Sequence, residues 1–145
     1  RKRKRFAIML VLLFAGAMSF AQNVSQNTVE KRVRRKNMTV KEWNTPANTK
    51  QAFLDHVTTY DTLGRKIEEI EYANYGQKSR VVSEYPAGSG VEAKVTREIE
   101  YNDRDKVVRI RKFEYNEDGS KKRQLNYYPN GKLESVKVFE VSYKD

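Results

Sequence analysis

Cysteine is absent from the 145-residue sequence. The chain therefore has no disulfide bonds, no thiolate metal ligands and no cysteine nucleophile, and it cannot be a cysteine-anchored lipoprotein. Histidine occurs once, at His56, and tryptophan once, at Trp43. Only three prolines and seven glycines are present, so each of them marks a particular local structure.

Acidic residues are missing from the first 29 positions. The sequence opens with the basic stretch "RKRKR", continues with the apolar stretch "FAIMLVLLFAGAMSF" and reaches "SFA" before Gln22. This three-part pattern predicts a signal peptide over residues 1–21 with cleavage after Ala21. An uncleaved membrane anchor is the alternative, although residues 6–21 are fewer than the roughly 20 that a spanning helix needs.

The signal peptide predicts export to the periplasm or the cell surface of a Gram-negative bacterium. Removal of the five leading cations lowers the formal net charge from +10 to +5. A moderately basic exported protein favours an envelope protein or an anionic envelope polymer as partner over nucleic acid. Membrane contact is expected only through the signal peptide or a bound partner.

Tyrosine and glycine recur at a fixed spacing of four residues. A type I turn followed by a residue with positive φ makes a tight hairpin connection, and glycine fills that last position with least steric cost. Asp105 takes the glycine position after Tyr101, and aspartate tolerates the left-handed backbone. The glycine pairs are Tyr60/Gly64, Tyr72/Gly76, Tyr115/Gly119 and Tyr127/Gly131, and a longer loop, "YPAGSG", follows Tyr85.

The segments between these turns are rich in β-branched and aromatic residues. They predict an all-β protein, an antiparallel meander of about seven to nine strands in a mostly single-layer sheet. The segment "FLDHVTTY" is the strand before the first turn. Upstream of it, "VEKRVRR" and "MTVKEW" can add one or two strands, with "NTPANTK" as a loop. Residues 22–51 then form an N-terminal segment, and residues 52–145 form the β-hairpin repeat domain.

Alternation along each strand predicts one better-buried face. Residues two positions before the turn tyrosines are mostly apolar, and those one position before are mostly acidic. Trp43 is expected to anchor the core. The residues two positions before the turn tyrosines are Thr58, Ile70, Ser83, Ile99, Phe113 and Leu125.

The motifs resemble known repeat families. "TYDTLGRKIEEIEY" resembles a YD-type repeat, and "YYPNGKLESVKVF" is similar to the MORN-variant repeats of small bacterial proteins. The resemblance covers about residues 53–143. It implies serial β-hairpins in exported bacterial proteins.

The polar residues do not assemble a recognisable catalytic motif. His56 has no marked nucleophile or orienting acid beside it. Asp103 and Asp105 supply too few oxygens for calcium, and turn chemistry accounts for them. The carboxylates Glu68, Glu69 and Glu71 are not set across a cleft as glycoside cleavage requires. We therefore predict a non-enzymatic protein with no cofactor and no metal.

A cationic stripe is the first candidate binding surface. Arg97, Arg111 and Arg123 each lie four residues before a turn tyrosine, and they share one face if the register aligns them. Guanidinium groups beside aromatic rings bind phosphate or carboxylate groups. The alternative is a solvated face balanced by glutamates. The full predicted surface comprises Arg97, Arg109, Arg111, Arg123, Tyr101, Tyr115 and Tyr127.

The edge of the last strand is the second candidate. The segment "KLESVKVFEVSY" has apolar residues on both parities, and an unpaired edge accepts a partner strand. The predicted docking residues are Val136, Val138, Phe139 and Val141. Lys132, Lys137 and Glu140 can instead protect the edge from such pairing.

The function predicted from these patterns is an exported interaction module of the bacterial envelope that uses one sheet face or the C-terminal edge strand. A structural accessory subunit of an envelope complex is the alternative. A hydrolase of envelope glycans is less favoured, because no acid/base constellation is evident.

Overall fold

The computed structural model describes residues 23–144. The predicted signal peptide lies outside the described residues. The described chain contains one helix, α1 (Gln26–Val33), and eight strands. The strands are β1 (Thr39–Asn44), β2 (Phe53–Tyr60), β3 (Lys66–Ala73), β4 (Gly76–Glu84), β5 (Arg97–Tyr101), β6 (Val107–Tyr115), β7 (Lys121–Tyr127) and β8 (Leu133–Val138).

The strands form one open antiparallel sheet in the order β1-β2-β3-β4-β5-β6-β7-β8. Every strand pairs with its neighbour in sequence, so the hairpin turns lie alternately at the two ends of the sheet. The predicted all-β meander and its strand number are confirmed. The β2 segment spans the predicted "FLDHVTTY", and β1 overlaps "MTVKEW" and extends one residue beyond it, to Asn44.

One turn geometry closes four of the hairpins. In the first of them, the Gly64 N–H donates to the Asp61 carbonyl (3.0 Å), and the Asp61 N–H donates to the Arg65 carbonyl (2.9 Å). Gly64 has φ +78° and Asp105, in the equivalent position, has φ +61°. These values confirm the predicted type I turns with a final left-handed residue. Equivalent bonds close the turns that begin at Asn102, Asn116 and Tyr128.

A β-bulge accompanies the turn in each of these hairpins and in the β3–β4 hairpin. In the first, Tyr60 pairs with Lys66 while Thr59 pairs with Glu68, so Ile67 is an extra residue. Because side chains alternate along a strand, one extra residue moves the next tyrosine to the other face. The corresponding extra residues in the other hairpins are Lys78, Val108, Lys122 and Glu134.

The prediction that the turn tyrosines and the residues two positions before them line one better-buried face is therefore wrong. Cross-strand partners share a face, and the register opposes Thr58 to Glu69 but Ile70 to Val57. We call the two surfaces the capped face and the open face. The capped face carries Tyr60, Tyr85, Tyr115, Thr58, Ser83, Glu98 and Phe113; the open face carries Tyr72, Tyr101, Tyr127, Val57, Ile70, Val82, Ile99, Ile110 and Leu125.

The capped face is covered by α1 and by the connection over residues 86–96. Arg32 fixes the helix by donating to the Val91 carbonyl (2.7 Å) and the Ala93 carbonyl (2.6 Å). Asn23 forms a bridge with Ala93. Within residues 23–144 the only buried residues are Thr58, Gly64, Ala93 and Phe113, so the core is thin, in agreement with the predicted, mostly single-layer sheet.

Residues 26–33 form a helix, so the prediction of a strand at "VEKRVRR" is wrong. Ser25 caps the helix by accepting a hydrogen bond from the Thr28 N–H (3.3 Å). Lys31 and Arg32 occupy the last turn, where cations interact favourably with the helix dipole. These end signals outweigh the β-branched valines of the segment.

Two strands are shorter than predicted. The first half of "EAKVTREIEY" belongs to the covering connection, and β5 begins only at Arg97. The segment "KLESVKVFEVSY" is a strand only as far as Val138. Trp43 lies on the edge strand β1 with 60% of its surface exposed, so its predicted role as a core anchor is also wrong.

Candidate binding surfaces

The register divides the predicted cationic surface between the two faces of the sheet. Arg97 pairs with Lys112, whereas Arg111 pairs with Glu98. Arg123 pairs with Glu114, which places it on the open face with Arg97 and opposite to Arg111. The expectation that these three arginines share a face is wrong. The open face carries Arg97, Arg123, Tyr101 and Tyr127, and the capped face carries Arg109, Arg111 and Tyr115.

Glutamates accompany all four of these arginines. Arg97 Nη2 lies 2.9 Å from Glu84 Oε2, and Arg111 Nη2 lies 2.5 Å from Glu100 Oε1. The hydrogen bonds from Arg123 hold the pKa of the Glu114 carboxyl below its ordinary value. Arg109 lies 3.6 Å from Glu134. The geometry thus matches the alternative interpretation, a charge-balanced solvated face.

The tyrosines of the predicted surface are engaged as well. The Arg80 guanidinium lies 4.0 Å from the ring centroid of Tyr101, and the Lys112 ammonium lies 5.3 Å from that of Tyr127. The Tyr115 hydroxyl donates to the Val95 carbonyl at 2.5 Å. The first two contacts join neighbouring strands on the open face, and the third joins the sheet to its cover, so none of the three rings is vacant.

The outer edge of β8 is the second predicted surface. Val136 and Val138 are 42% and 64% exposed, and within residues 23–144 no strand pairs with this edge. Phe139 and Val141 lie beyond the strand end. The Phe139 N–H donates to the Lys122 carbonyl (3.1 Å), so its backbone is bonded to β7, and the residue is half-buried. Val141 is 51% exposed.

A third candidate binding surface was not predicted from the sequence. A cleft of about 350 Å³ lies between the last turn of α1 and the capped face. The run "KRVRRK" at residues 31–36 supplies most of the positive charge of this cleft. The prediction of a strand over this run did not place its cations in a cleft. The N-cap at Ser25 is the signal that would have placed these cations on a helix end. The cleft is lined by Thr28, Lys31, Arg32, Arg35, Tyr60, Gly64, Lys66, Ser83, Tyr85, Val95 and Glu98.

His56, Asp105 and the three candidate glutamates have partners within the sheet. His56 Nδ1 lies 2.7 Å from Glu42 Oε2, and Asp105 accepts a hydrogen bond from Arg80 (3.0 Å). Glu68, Glu69 and Glu71 each form an ion pair, with Arg80, Lys66 and Lys78 respectively. The described part of the chain holds no group of three or more histidines and carboxylates placed to bind a metal ion.

The only described helix, α1, has eight residues. No helix within residues 23–144 has the length and the apolar character needed to cross a membrane.

Comparison with known proteins finds no protein family whose model matches the chain and no curated protein that matches it. The likeness to YD-type and MORN-variant repeats rests on the sequence motifs.

Proposed function

We propose that this chain is an exported, non-enzymatic interaction module of the Gram-negative envelope, and that it receives an extended segment of a partner protein along the outer edge of β8. The observation that carries the proposal is the exposed backbone edge of β8 with its two exposed valines. The signal-peptide pattern of residues 1–21 and the resemblance to repeats of exported proteins support the location.

The backbone of β8 is suited to strand addition. The hydrogen bond from the Phe139 N–H to the Lys122 carbonyl fixes the phase of the β7–β8 ladder. In an antiparallel ladder the bonded residues alternate, so Ser135 and Lys137 direct their backbone groups towards β7. Val136 and Val138 direct theirs outward, where a partner strand provides the missing hydrogen bonds.

The side chains of β8 define the chemistry of that partner segment. Val136 pairs with Leu125 and extends the apolar residues of the open face to the edge. On the other face, Lys137 forms no ion pair with a described residue, and its ammonium lies 5.4 Å from the ring centroid of Phe139. A complementary segment therefore alternates apolar residues beside the valines with an acidic residue beside Lys137.

If the chain is instead an accessory subunit of an envelope complex, it uses the same contact, and the partner strand belongs to a permanent neighbour. The two forms of the proposal differ in the lifetime of the complex. No feature of the described chain favours the glycan hydrolase.

The test is site-specific photo-crosslinking in the producing bacterium. The photoreactive residue p-benzoylphenylalanine is placed at Val138 on β8 or at Lys41 on β1. Lys41 is the matched control, because the bond from the Tyr60 N–H to the Met38 carbonyl sets a ladder phase in which the Lys41 backbone also faces outward. We expect a discrete protein adduct from position 138 and none from position 41.

Proline substitutions then test strand addition itself. Val136→Pro removes an outward N–H that β7 does not use, and edge strands tolerate proline at such positions. We expect this substitution to abolish the adduct from position 138, while Lys41→Pro leaves it intact. Thermal unfolding verifies that both variants are folded. The proposal is wrong if position 138 gives no adduct, or if the adduct survives Val136→Pro.

A further inference from the structure

The cleft beneath α1 combines a fixed frame with an excess of positive charge. The Arg32 carbonyl packs directly on Gly64, and the Arg32 side chain is bonded to the carbonyls of Val91 and Ala93. These contacts hold the end of the helix against the sheet from two sides. The cleft is therefore a built feature of the fold rather than a gap beside a loose segment.

The charges that line the cleft do not balance. Of its four cations, Lys66 is paired with Glu69 at 2.9 Å. Arg32 has carbonyl partners, and within residues 23–144 neither Lys31 nor Arg35 forms an ion pair with a carboxylate. The one acidic lining residue is Glu98. Three cations and one carboxylate leave a net charge of +2.

The end of α1 offsets only part of this charge, because its dipole amounts to roughly half a negative charge. A helix C-terminus carries a partial negative charge on its unbonded carbonyls. Here the Lys31 carbonyl accepts from the Arg34 N–H (3.2 Å), and the Arg32 carbonyl accepts from the Arg35 N–H (2.9 Å). Burial is the main cause that lowers the pKa of the Arg32 guanidinium, and the charge of nearby Arg65 adds to it, whereas Tyr85, Asp61 and Glu92 act in the opposite direction.

We propose that this cleft binds a phosphorylated sugar, with the phosphate held by Lys31 and Arg35 and a sugar hydroxyl donating to Glu98. A phosphate monoester carries about −1.5 to −2 charges at neutral pH, which matches the cleft, whereas a carboxylate supplies only one. The volume of about 350 Å³ lies at the lower end of the range of small-molecule sites. The cleft is separate from β8, so the test of ligand binding in the cleft is independent of the test of strand docking at β8.

The test is a titration of the isotope-labelled mature protein, followed by NMR, with glucose 6-phosphate as the probe. Inorganic phosphate and unphosphorylated glucose are titrated alongside. Vesicles with and without diphosphoryl lipid A distinguish a lipid-borne sugar phosphate from a free one. We expect glucose 6-phosphate to shift the resonances of Tyr60, Tyr85 and Glu98, and glucose to shift none of them. Binding to lipid A vesicles would broaden the protein resonances more than vesicles without lipid A do.

A pair of double variants isolates the cleft from general charge. Lys31→Gln with Arg35→Gln removes two lining cations, whereas Arg34→Gln with Lys36→Gln removes two cations of the same segment that do not line the cleft. We expect the first to weaken binding by about tenfold or more, because charged hydrogen bonds are lost. The second should change affinity less than about twofold, since exposed charges away from the ligand are screened.

Each result decides the proposal. Binding of the free sugar phosphate, of the lipid A vesicles or of both supports the site and identifies its source of ligand. If the first double variant does not fold, Lys31→Gln alone replaces it, because Lys31 is exposed. The proposal is overturned if no phosphorylated sugar binds, if inorganic phosphate or glucose binds as well as the phosphorylated sugar, or if the two double variants lose affinity alike.

Discussion

The carbonyl oxygen of Arg32 occupies the place where a side chain of residue 64 would begin. A β-carbon on Gly64 would lie 1.7 Å from that oxygen, so the last turn of α1 rests directly on the first hairpin turn. Gly131 has the same place in the last hairpin turn, with φ +87° and no neighbouring atom within 4 Å of such a β-carbon. Substitutions at these two glycines therefore distinguish the cost of backbone strain from the cost of displacing the helix.

We expect Gly64→Ala to destabilise the protein much more than Gly131→Ala does. Both substitutions place a β-carbon on a left-handed residue, which costs about 1–2 kcal/mol. Gly64→Ala also displaces α1, and overpacking of this kind adds about 1–3 kcal/mol. Urea unfolding of the two variants measures the difference in the free energy of unfolding. Equal losses would show that α1 does not depend on its contact with Gly64.

The Tyr115 hydroxyl ties the sheet to its cover. Burial, with the negative charge of Glu98, raises its pKa to about 12. Because this exceeds the ordinary value of 10.0, the folded protein favours the neutral hydroxyl. The resulting contribution to stability is complete below pH 10 and is lost as the pH rises through about 12.

We expect Tyr115→Phe to lower the free energy of unfolding by about 1 kcal/mol at neutral pH, because the Val95 carbonyl loses its donor. The variant should also lose one late-titrating tyrosine from the alkaline absorbance titration. Tyr75→Phe is the control, since Tyr75 is 70% exposed in the β3–β4 loop. A Tyr115→Phe protein with unchanged stability would contradict this role of the hydroxyl.

Asp61 combines a turn contact with an ion pair. Its Oδ1 accepts from the N–H groups of Leu63 and Arg65, and its Oδ2 accepts from the Arg65 side chain, each at 2.9 Å. Burial alone would raise the pKa of Asp61, but these hydrogen bonds hold it below the ordinary value of 3.8. The contribution of the carboxylate is therefore complete above pH 3.8 and is lost as the pH falls further.

We expect Asp61→Asn to keep the turn and to remove only the acid-sensitive part of the stability. Asn102 shows that an amide can make the same turn bonds, because its Oδ1 accepts from the N–H groups of Arg104 and Lys106. The loss should be about 1 kcal/mol at neutral pH and should vanish in acid. Urea unfolding at a series of pH values measures it. A loss that persists in acid would contradict the assignment to the Arg65 pair.

The turns of this protein are readable from sequence because each depends on a few adjacent residues. Tyr-x-x-x-Gly locates the hairpins, and Asp105 adopts the left-handed backbone that its place in the pattern predicts. With the turns located, the antiparallel order of the strands follows. The order of the strands in the sheet therefore follows from sequence patterns within each turn.

The faces and the candidate surfaces could not be obtained in the same way. A bulge adds one residue without changing the composition of the strand, so counting from Tyr60 to Tyr72 gives the wrong side for Ile70. The glutamate partners of Arg97 and Arg111 depend on cross-strand register. The cleft depends on a helix end that meets Gly64 from a distant part of the chain.

The bulges also constrain how such a chain can change its length. A single strand with its turn, inserted or deleted, would reverse the direction of every later strand and exchange the surfaces on which all later tyrosines fall. Tyr115 would then leave the protection of residues 86–96 and enter solvent. Inserting or deleting two successive strands leaves the direction of the later strands and the faces of their tyrosines unchanged. We therefore expect this sheet to gain or lose strands two at a time.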